Sequence, residues 1–102
     1  PESPEYWHLW VEAKKLALGL LHERLVACVQ VIPKILSFYE WDGAVQEDEE
    51  SLVIMKTSTD HVEMLKNYVE YHHHDEIPEL IVLDIVDGLS TYFEWIGEVT
   101  QP

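Results

Sequence analysis

The chain has 102 residues, of which 20 are acidic and 6 are basic, so its formal net charge is −14 at pH 7. This length fits one domain over residues 1–102, and a hydrophobic fraction of 47% is too high for a disordered acidic tail. The charge argues against nucleic acid and anionic membrane surfaces as partners, because both attract clustered lysine and arginine. No apolar run approaches the ~20 residues of a membrane-spanning helix, so we expect no membrane insertion.

The first quarter of the chain predicts one helix. Residues 1–5 have the composition of an exposed lead-in, and residues 6–11 (YWHLWV) fit either a strand or the first turn of a helix. Apolar residues recur at three- and four-residue steps over residues 12–25, which predicts an amphipathic helix.

The next segment predicts a long β-hairpin. Residues 26–32 and 35–41 are rich in β-forming side chains on either side of Pro33, where we expect a bend or bulge because proline removes a ladder donor. Asp42-Gly43 is a strong signal for a two-residue turn that requires positive φ. The returning strand is predicted over residues 44–57 and contains four consecutive carboxylates, which need solvent or cationic partners.

The second half predicts a helix, a strand and a last helix. Asp60 and Glu63 have the spacing of a capping box at the start of the first of these helices, which ends in three histidines. Residues 79–86 are strongly apolar and predict a central strand, followed by a turn at Asp87-Gly88. A short helix over residues 91–99 closes the chain.

This order of elements predicts an α+β protein. It matches the ferredoxin-like βαββαβ arrangement with a C-terminal helix, provided that an opening strand is admitted at residues 6–11. In this arrangement both helices lie on one face of an antiparallel sheet. The segment before residue 12 is short, so we expect the opening strand to be short or missing.

Four blocks of the sequence resemble the CutA family, the divalent-cation tolerance proteins. The resemblance covers about residues 12–99, and Tyr92 and Trp95 match the family's closing aromatic pair. The matching blocks are, in order, residues 23–29 (ERLVACV), 37–43 (SFYEWDG), 56–57 (KT) and 73–79 (HHDEIPE). Because all four occur in order and at the expected separations, the signal is specific.

The resemblance implies a ferredoxin-like protomer without catalytic activity that forms a homotrimer by pairing edge strands. The family is linked to copper tolerance in bacteria and, in animals, to membrane anchoring and processing of acetylcholinesterase, which leaves room for a further protein partner. Two features depart from the family pattern. The usual opening strand, which carries a metal-linked cysteine in some members, hardly fits here, and His74-Asp75 replaces the usual Pro-Tyr.

His72, His73 and His74 are the candidate metal ligands. Neutral imidazole binds Cu(II), Ni(II) and Zn(II), with affinity generally highest for Cu(II). Neighbouring side chains diverge in a strand and in a helix, so we expect at most two of the three to share an ion. By resemblance, His72 and His73 match the positions associated with copper. The alternative is a solvated helix end at which histidines interact with free carbonyl groups and no cofactor is required.

A second candidate site is a mixed set of aromatic and charged residues that, by resemblance, gathers in a cleft near the subunit interface. Its members are Tyr39, Trp41, Lys56, Glu79, Tyr92 and Trp95. These side chains suit interface packing, because aromatic residues dominate interface cores. They also suit a small-ligand pocket in which Lys56 holds an anion, as in the PII signalling proteins, which share the protomer plan and the trimer.

Cys28 is the single cysteine, which excludes a disulfide within the chain and favours a reducing compartment. We expect this thiol to act as a small buried hydrophobe rather than as a ligand, and we expect a cytoplasmic protein. The sequence begins with Pro1, which leaves a removed targeting segment open. Our first hypothesis is therefore a non-enzymatic, metal-responsive or scaffolding trimer that resembles CutA, and the alternative is a PII-like sensor of small anions.

Overall fold

A computed structural model describes residues 4–72 and 79–101 of the chain. The described elements combine helices with one two-stranded antiparallel sheet, as expected for an α+β protein. In chain order they are helix α1 (Pro4–His22), strands β1 (Cys28–Trp41) and β2 (Ala44–Lys56), a 3₁₀ turn (Thr59–His61), and helices α2 (Val62–His72) and α3 (Ser90–Val99).

Helix α1 includes residues 6–11, so this segment supplies no opening strand. Proline is favourable in the first turn of a helix because its missing N–H would have no partner there, and α1 begins at Pro4. The close approach of α2 explains a glycine in the middle of α1. A methyl group on Gly19 would collide with the Tyr68 hydroxyl, so the glycine allows the two helices to approach.

A Schellman motif ends α1. The backbone N–H of Leu25 donates to the carbonyl of Leu20, and that of Arg24 donates to Leu21, each at 3.1 Å. Arg24 has φ of 58°, the left-handed conformation that this motif needs and that glycine usually supplies. The chain therefore turns from the helix directly into the buried segment that leads to β1.

The β1–β2 hairpin confirms two predictions. Asp42 and Gly43 have φ of 52° and 76°, as a two-residue turn requires. The strand register shifts between Ile32 and Ile35, where Lys34 has φ of 58°. This is a β-bulge at the position where Pro33 interrupts the ladder.

Replacing Gly43 with valine is expected to lower the free energy of unfolding by about 1–3 kcal/mol, because a β-branched residue is strained at φ of 76°. Gly97→Ala is the matched control, since an added methyl group there meets no atom within 4 Å and α3 should gain about 0.5–1 kcal/mol. Chemical denaturation measures both changes. Equal stability of the Gly43→Val variant and the wild type would contradict the assigned turn.

The core lies between the hairpin and two helices. Its buried residues come from α1 and α2 and from the segment between α1 and β1, and they are Leu20, Leu25, Val26, Leu65 and Val69. Val29 and Met55 pack against this cluster and are directly opposite each other in the two strands. Since opposed residues share a face, α1 and α2 cover the same face of the sheet, as expected.

The structure contains no strand over residues 79–86, so this prediction is wrong. Residues 79–89 contain no helix, strand, turn or bend, so they run as unbent chain, and the turn predicted at Asp87-Gly88 is absent too. A strand needs a neighbour to accept and donate its hydrogen bonds. The sequence pattern reports β-forming side chains, but among the described residues no neighbouring strand pairs with this segment. Leu80 holds it to the core.

The capping box predicted at Asp60 and Glu63 is also wrong. Asp60 lies inside the 3₁₀ turn rather than before the helix, and the turn itself starts after Ser58. The Ser58 hydroxyl lies 2.6 Å from His61 Nδ1, so these two side chains form a hydrogen bond with each other.

None of the helices in the described part of the chain is long and apolar enough to cross a bilayer.

Candidate functional site

His72 is the last residue of α2, and the structure holds its imidazole in a defined orientation. Its Nδ1 lies 2.9 Å from the backbone carbonyl oxygen of Tyr68. The ring stacks on the Tyr68 ring with centroids 3.9 Å apart, and the edge of Tyr71 lies 5.0 Å away. Because a carbonyl only accepts hydrogen bonds, Nδ1 carries the proton in this contact, and Nε2 is the nitrogen left for a ligand when the ring is neutral.

This contact is the one expected for the alternative of a solvated helix end, at which a histidine interacts with a carbonyl group. It is also compatible with metal binding. Metal-binding imidazoles commonly donate their second ring N–H to a backbone carbonyl or a carboxylate, which sets both the tautomer and the direction of the lone pair. His73 and His74 lie outside the described residues. Within residues 4–72 and 79–101, no group of three histidine, cysteine or acidic side chains could hold an ion.

Four of the six residues predicted for the cleft line one groove. Tyr39, Trp41, Lys56 and Glu79 all border it. Tyr92 and Trp95 lie on α3 with their ring centroids 5.7 Å apart and do not line it, although Phe93 and Ile96 of the same helix do. The structure therefore brings the predicted strand residues together and leaves the aromatic pair of α3 on another surface.

The groove has two long walls, and we call it the edge groove. One wall is the run of seven consecutive residues 50–56 in β2, and the other is the run of seven consecutive residues 79–85. Successive side chains of a strand point to opposite faces, so a groove that touches every residue of 50–56 reaches the edge of β2 opposite β1. The groove also extends over Ile35, Ser37 and Tyr39 of β1. Its volume of about 2480 Å³ exceeds the roughly 300–1,000 Å³ of small-molecule pockets.

Charges around the edge groove are strongly one-sided. Six acidic residues line it, namely Glu12, Asp48, Glu50, Glu63, Glu79 and Asp84. Lys56 is the one lysine or arginine among the described residues of the lining, and its Nζ donates to Gln30 Oε1 at 2.7 Å. The sequence missed this site because it predicted that residues 79–86 are paired inside a sheet.

Hydroxyl groups are the partners of two carboxylates in the acidic run of β2. Ser37 Oγ donates to Glu50 at 3.0 Å, and the Tyr39 hydroxyl donates to Asp48. Each is a diagonal pair across the hairpin, since Ser37 is directly opposite Asp48. The run was expected to need solvent or cations, and the opposite strand supplies hydroxyl donors in addition.

Cys28 is a free thiol at the start of β1, half-buried and directly opposite Lys56. The sequence analysis expected a buried position, and the structure leaves part of the side chain accessible. No histidine, acidic residue or second cysteine forms a metal-binding group with it in the described part of the chain.

Comparison with known proteins decides the family. A sequence profile described as "CutA1 divalent ion tolerance protein" matches residues 9–99. The chain belongs to the CutA1 family. The chloroplastic protein CutA of Arabidopsis thaliana is 43% identical over 86% of this chain and 48% of its own length. The divalent-cation tolerance protein CutA of Thermus thermophilus is 40% identical over 86% of this chain and 85% of its own length.

Solved CutA1 structures share the fold of this chain. CutA1 from Oryza sativa superposes with a TM-score of 0.86 at 39% identity, covering 88% of this chain and 83% of the other. CutA1 from Ehrlichia chaffeensis gives 0.88 at 25% identity, covering 91% and 87%. These matches confirm the ferredoxin-like class. The chain spans about half the length of the curated plant and animal relatives that it matches, such as human CutA at 50%.

Proposed function

We propose that this CutA1 chain is a non-enzymatic divalent-cation tolerance protein that binds Cu(II) through His72 and His73 and works as a homotrimer. The observation that carries the copper site is the hydrogen bond between His72 Nδ1 and the Tyr68 carbonyl, which leaves Nε2 for a metal ion. The family names describe tolerance of divalent cations and no reaction.

Copper is the ion that this donor type favours. Imidazole nitrogen binds divalent first-row metals in an order that peaks at Cu(II). The His72 side chain is exposed among the described residues, so a hydrated ion can approach it from solvent. His73 is the neighbouring donor that the family resemblance assigns to copper, and His74 is a third candidate within the same run of the sequence.

The trimer is supported by the shape of the hairpin. Its distal half carries apolar side chains on the face that α1 and α2 cover near its base. Leu36, Phe38 and Val45 lie on that face and are exposed. Apolar surface of this kind marks protein interaction sites. Among the described residues the sheet consists of β1 and β2 alone, so a strand of another chain can extend it.

A PII-like sensor of small anions finds no support. The relatives that identify the family of this chain are CutA proteins. Six carboxylates surround the groove in which Lys56 was expected to hold an anion, and the lysine already donates to Gln30. Like charges repel an anionic ligand, so the electrostatics oppose this alternative.

Removing the three histidines should weaken Cu(II) binding by about tenfold or more, as loss of metal-site residues generally does. The experiment titrates Cu(II) into the wild type and into a variant with His72→Ala, His73→Ala and His74→Ala, followed by calorimetry. His22→Ala is the matched control, because His22 is also an exposed histidine in the last turn of a helix. Equal affinity of the wild type and the triple variant would overturn the copper proposal.

We also propose that the protein is cytoplasmic and that its main partners are further copies of itself. A single cysteine suits a reducing compartment such as the cytoplasm, and one relative is chloroplastic by name. Fluorescence microscopy of the tagged protein in cells of the organism that encodes it tests this location.

A further inference from the structure

We propose that Asp87-Gly88 is a site of spontaneous covalent modification, at which the aspartate isomerises to isoaspartate through a cyclic succinimide. The fold protects the same dipeptide at Asp42-Gly43 from this reaction. The proposal is independent of copper binding and of the trimer, because it uses no histidine and no contact with another chain.

The Asp87 side chain is folded back onto the peptide bond that follows it. The backbone N–H of Gly88 donates to Asp87 Oδ1 at 2.9 Å, and the side-chain carbon Cγ is one covalent bond away from that oxygen. Short acidic side chains commonly make such local contacts with neighbouring backbone groups. The contact places the Gly88 nitrogen beside the carbon that it attacks when the ring closes.

The reaction needs no reactant other than water. The Gly88 nitrogen attacks Cγ of the protonated carboxyl group and an N–C bond forms, while the hydroxyl group and the amide proton leave as one water molecule. A second water molecule then opens the ring. Cleavage of the new N–C bond restores aspartate. Cleavage of the original peptide bond gives isoaspartate, in which the main chain runs through Cγ and the former main-chain carbonyl becomes the free carboxylate.

The backbone around Asp87 is free to adopt the geometry of the ring. Residues 87–89 contain no helix, strand, turn or bend. Neither Asp87 nor Gly88 makes a hydrogen bond to another backbone group among the described residues. Gly88 has no side chain to shield its nitrogen, and glycine has the widest choice of φ and ψ. Both residues are exposed, so water reaches them for the second step.

Asp42-Gly43 carries the same functional groups in a restrained position. The two residues form the tight turn of the hairpin between the paired residues Trp41 and Ala44, and Asp42 has φ of 52°. A succinimide fixes the backbone dihedral angles of its aspartate, so ring closure there requires the turn to open first, which costs free energy. The fold therefore favours reaction at Asp87, although the sequence presents two identical pairs.

Isomerisation at Asp87 changes the way the chain enters α3. The Phe93 ring lies against Gly88, since a methyl group added to this glycine would be 2.5 Å from Phe93 Cζ. Isoaspartate adds one atom to the main chain immediately before Gly88, so the glycine and the ring cannot both keep their positions. The modification is therefore expected to loosen the first turn of α3.

The test ages the full chain at neutral pH and physiological temperature and then cleaves it after glutamate. Cleavage releases residues 41–47 and 80–94, one peptide for each Asp-Gly pair. An isoaspartate peptide has the mass of its aspartate form and separates from it in reversed-phase chromatography. We expect isoaspartate to form about tenfold faster in 80–94 than in 41–47, because the hairpin turn must open first. Equal rates, or no isoaspartate in 80–94, would overturn the proposal.

Denatured protein separates the effect of the fold from that of the neighbouring residues. In concentrated guanidinium chloride both pairs lie in unfolded chain, so they should isomerise at similar rates. A tenfold difference that persists in the denatured protein would show that the fold is not its cause, and the proposal would be wrong.

Two conservative variants assign the reaction to one aspartate. Methylation of the aged, intact protein by a protein isoaspartyl methyltransferase with labelled S-adenosylmethionine counts the isoaspartate that has formed. Asp87→Glu should remove most of the label, because the longer side chain closes a less favourable six-membered ring. Asp84→Glu is the matched control and should keep the label, since Asp84 precedes Ile85, whose branched side chain shields the nitrogen. Undiminished label in Asp87→Glu would place the reaction at another residue and overturn the proposal.

Discussion

Truncating Leu20 to alanine is expected to lower the free energy of unfolding by about 2–5 kcal/mol. The side chain is 0% exposed and sits in the cluster that joins α1 to α2 and to the segment before β1. Truncation removes its apolar contacts and leaves a cavity that helices anchored on both sides cannot easily close. Urea denaturation of the two proteins measures the loss.

The same truncation at Leu18 is the control for Leu20→Ala. Leu18 belongs to the same helix and is exposed, so Leu18→Ala keeps helix propensity comparable and should change stability by less than about 0.5 kcal/mol. Similar losses for the two variants would contradict the burial of Leu20 in the core.

Replacing Phe38 with glutamate is expected to dissociate the proposed trimer. Phe38 is 63% exposed on the distal half of the hairpin and pairs across the strands with Glu47. In the proposed trimer this ring would be buried at the contact between protomers, so a second carboxylate beside Glu47 would be buried without a cationic partner. Light scattering should give a mass near three times 11.9 kDa for the wild type and near 11.9 kDa for the variant.

Met64→Glu provides the matched charge change for the Phe38 variant. Met64 is 59% exposed on α2, away from the hairpin, so this variant should keep the mass of the wild type. A wild type that is monomeric at every concentration would refute the trimer. A Phe38→Glu variant that remains trimeric would move the interface away from the hairpin.

Local signals in the sequence predicted the hairpin correctly. Asp42-Gly43 has a conformational preference that is independent of distant residues, and Pro33 interrupts a ladder wherever the ladder forms. The helices were predicted from the spacing of their apolar residues, and Leu65 and Val69 of α2 are buried as that spacing indicated. Such features depend on contacts within a few residues along the chain.

Predictions that needed a distant partner were less successful. Residues 79–86 have the composition of a central strand, but the hydrogen bonds of a strand come from a neighbour that composition does not reveal. Residues 6–11 were ambiguous because a short aromatic run fits both periods, and continuity with the helix that follows resolves it in favour of α1.

The candidate sites show the same difference between features set by local sequence and features set by distant contacts. The histidine run was visible in the sequence, whereas the contact between His72 and the Tyr68 carbonyl depends on where α2 ends. Tyr39 and Glu79 are forty positions apart, and their placement along one groove required the fold. The edge groove itself was invisible because a pattern of apolar residues predicts burial and cannot show that the space beside them is open.

Residues 80–86 make no backbone hydrogen bond to another described part of the chain, and this affects the solubility of the protein. An apolar, β-prone edge invites aggregation with identical edges on other molecules. The net charge of −14 opposes such contacts by mutual repulsion, so that only a contact with matched apolar surfaces, as in the proposed trimer, outweighs it. Salt reduces the reach of that repulsion to about 8 Å at physiological ionic strength, so dilute buffers suit the purified protein better than concentrated salt.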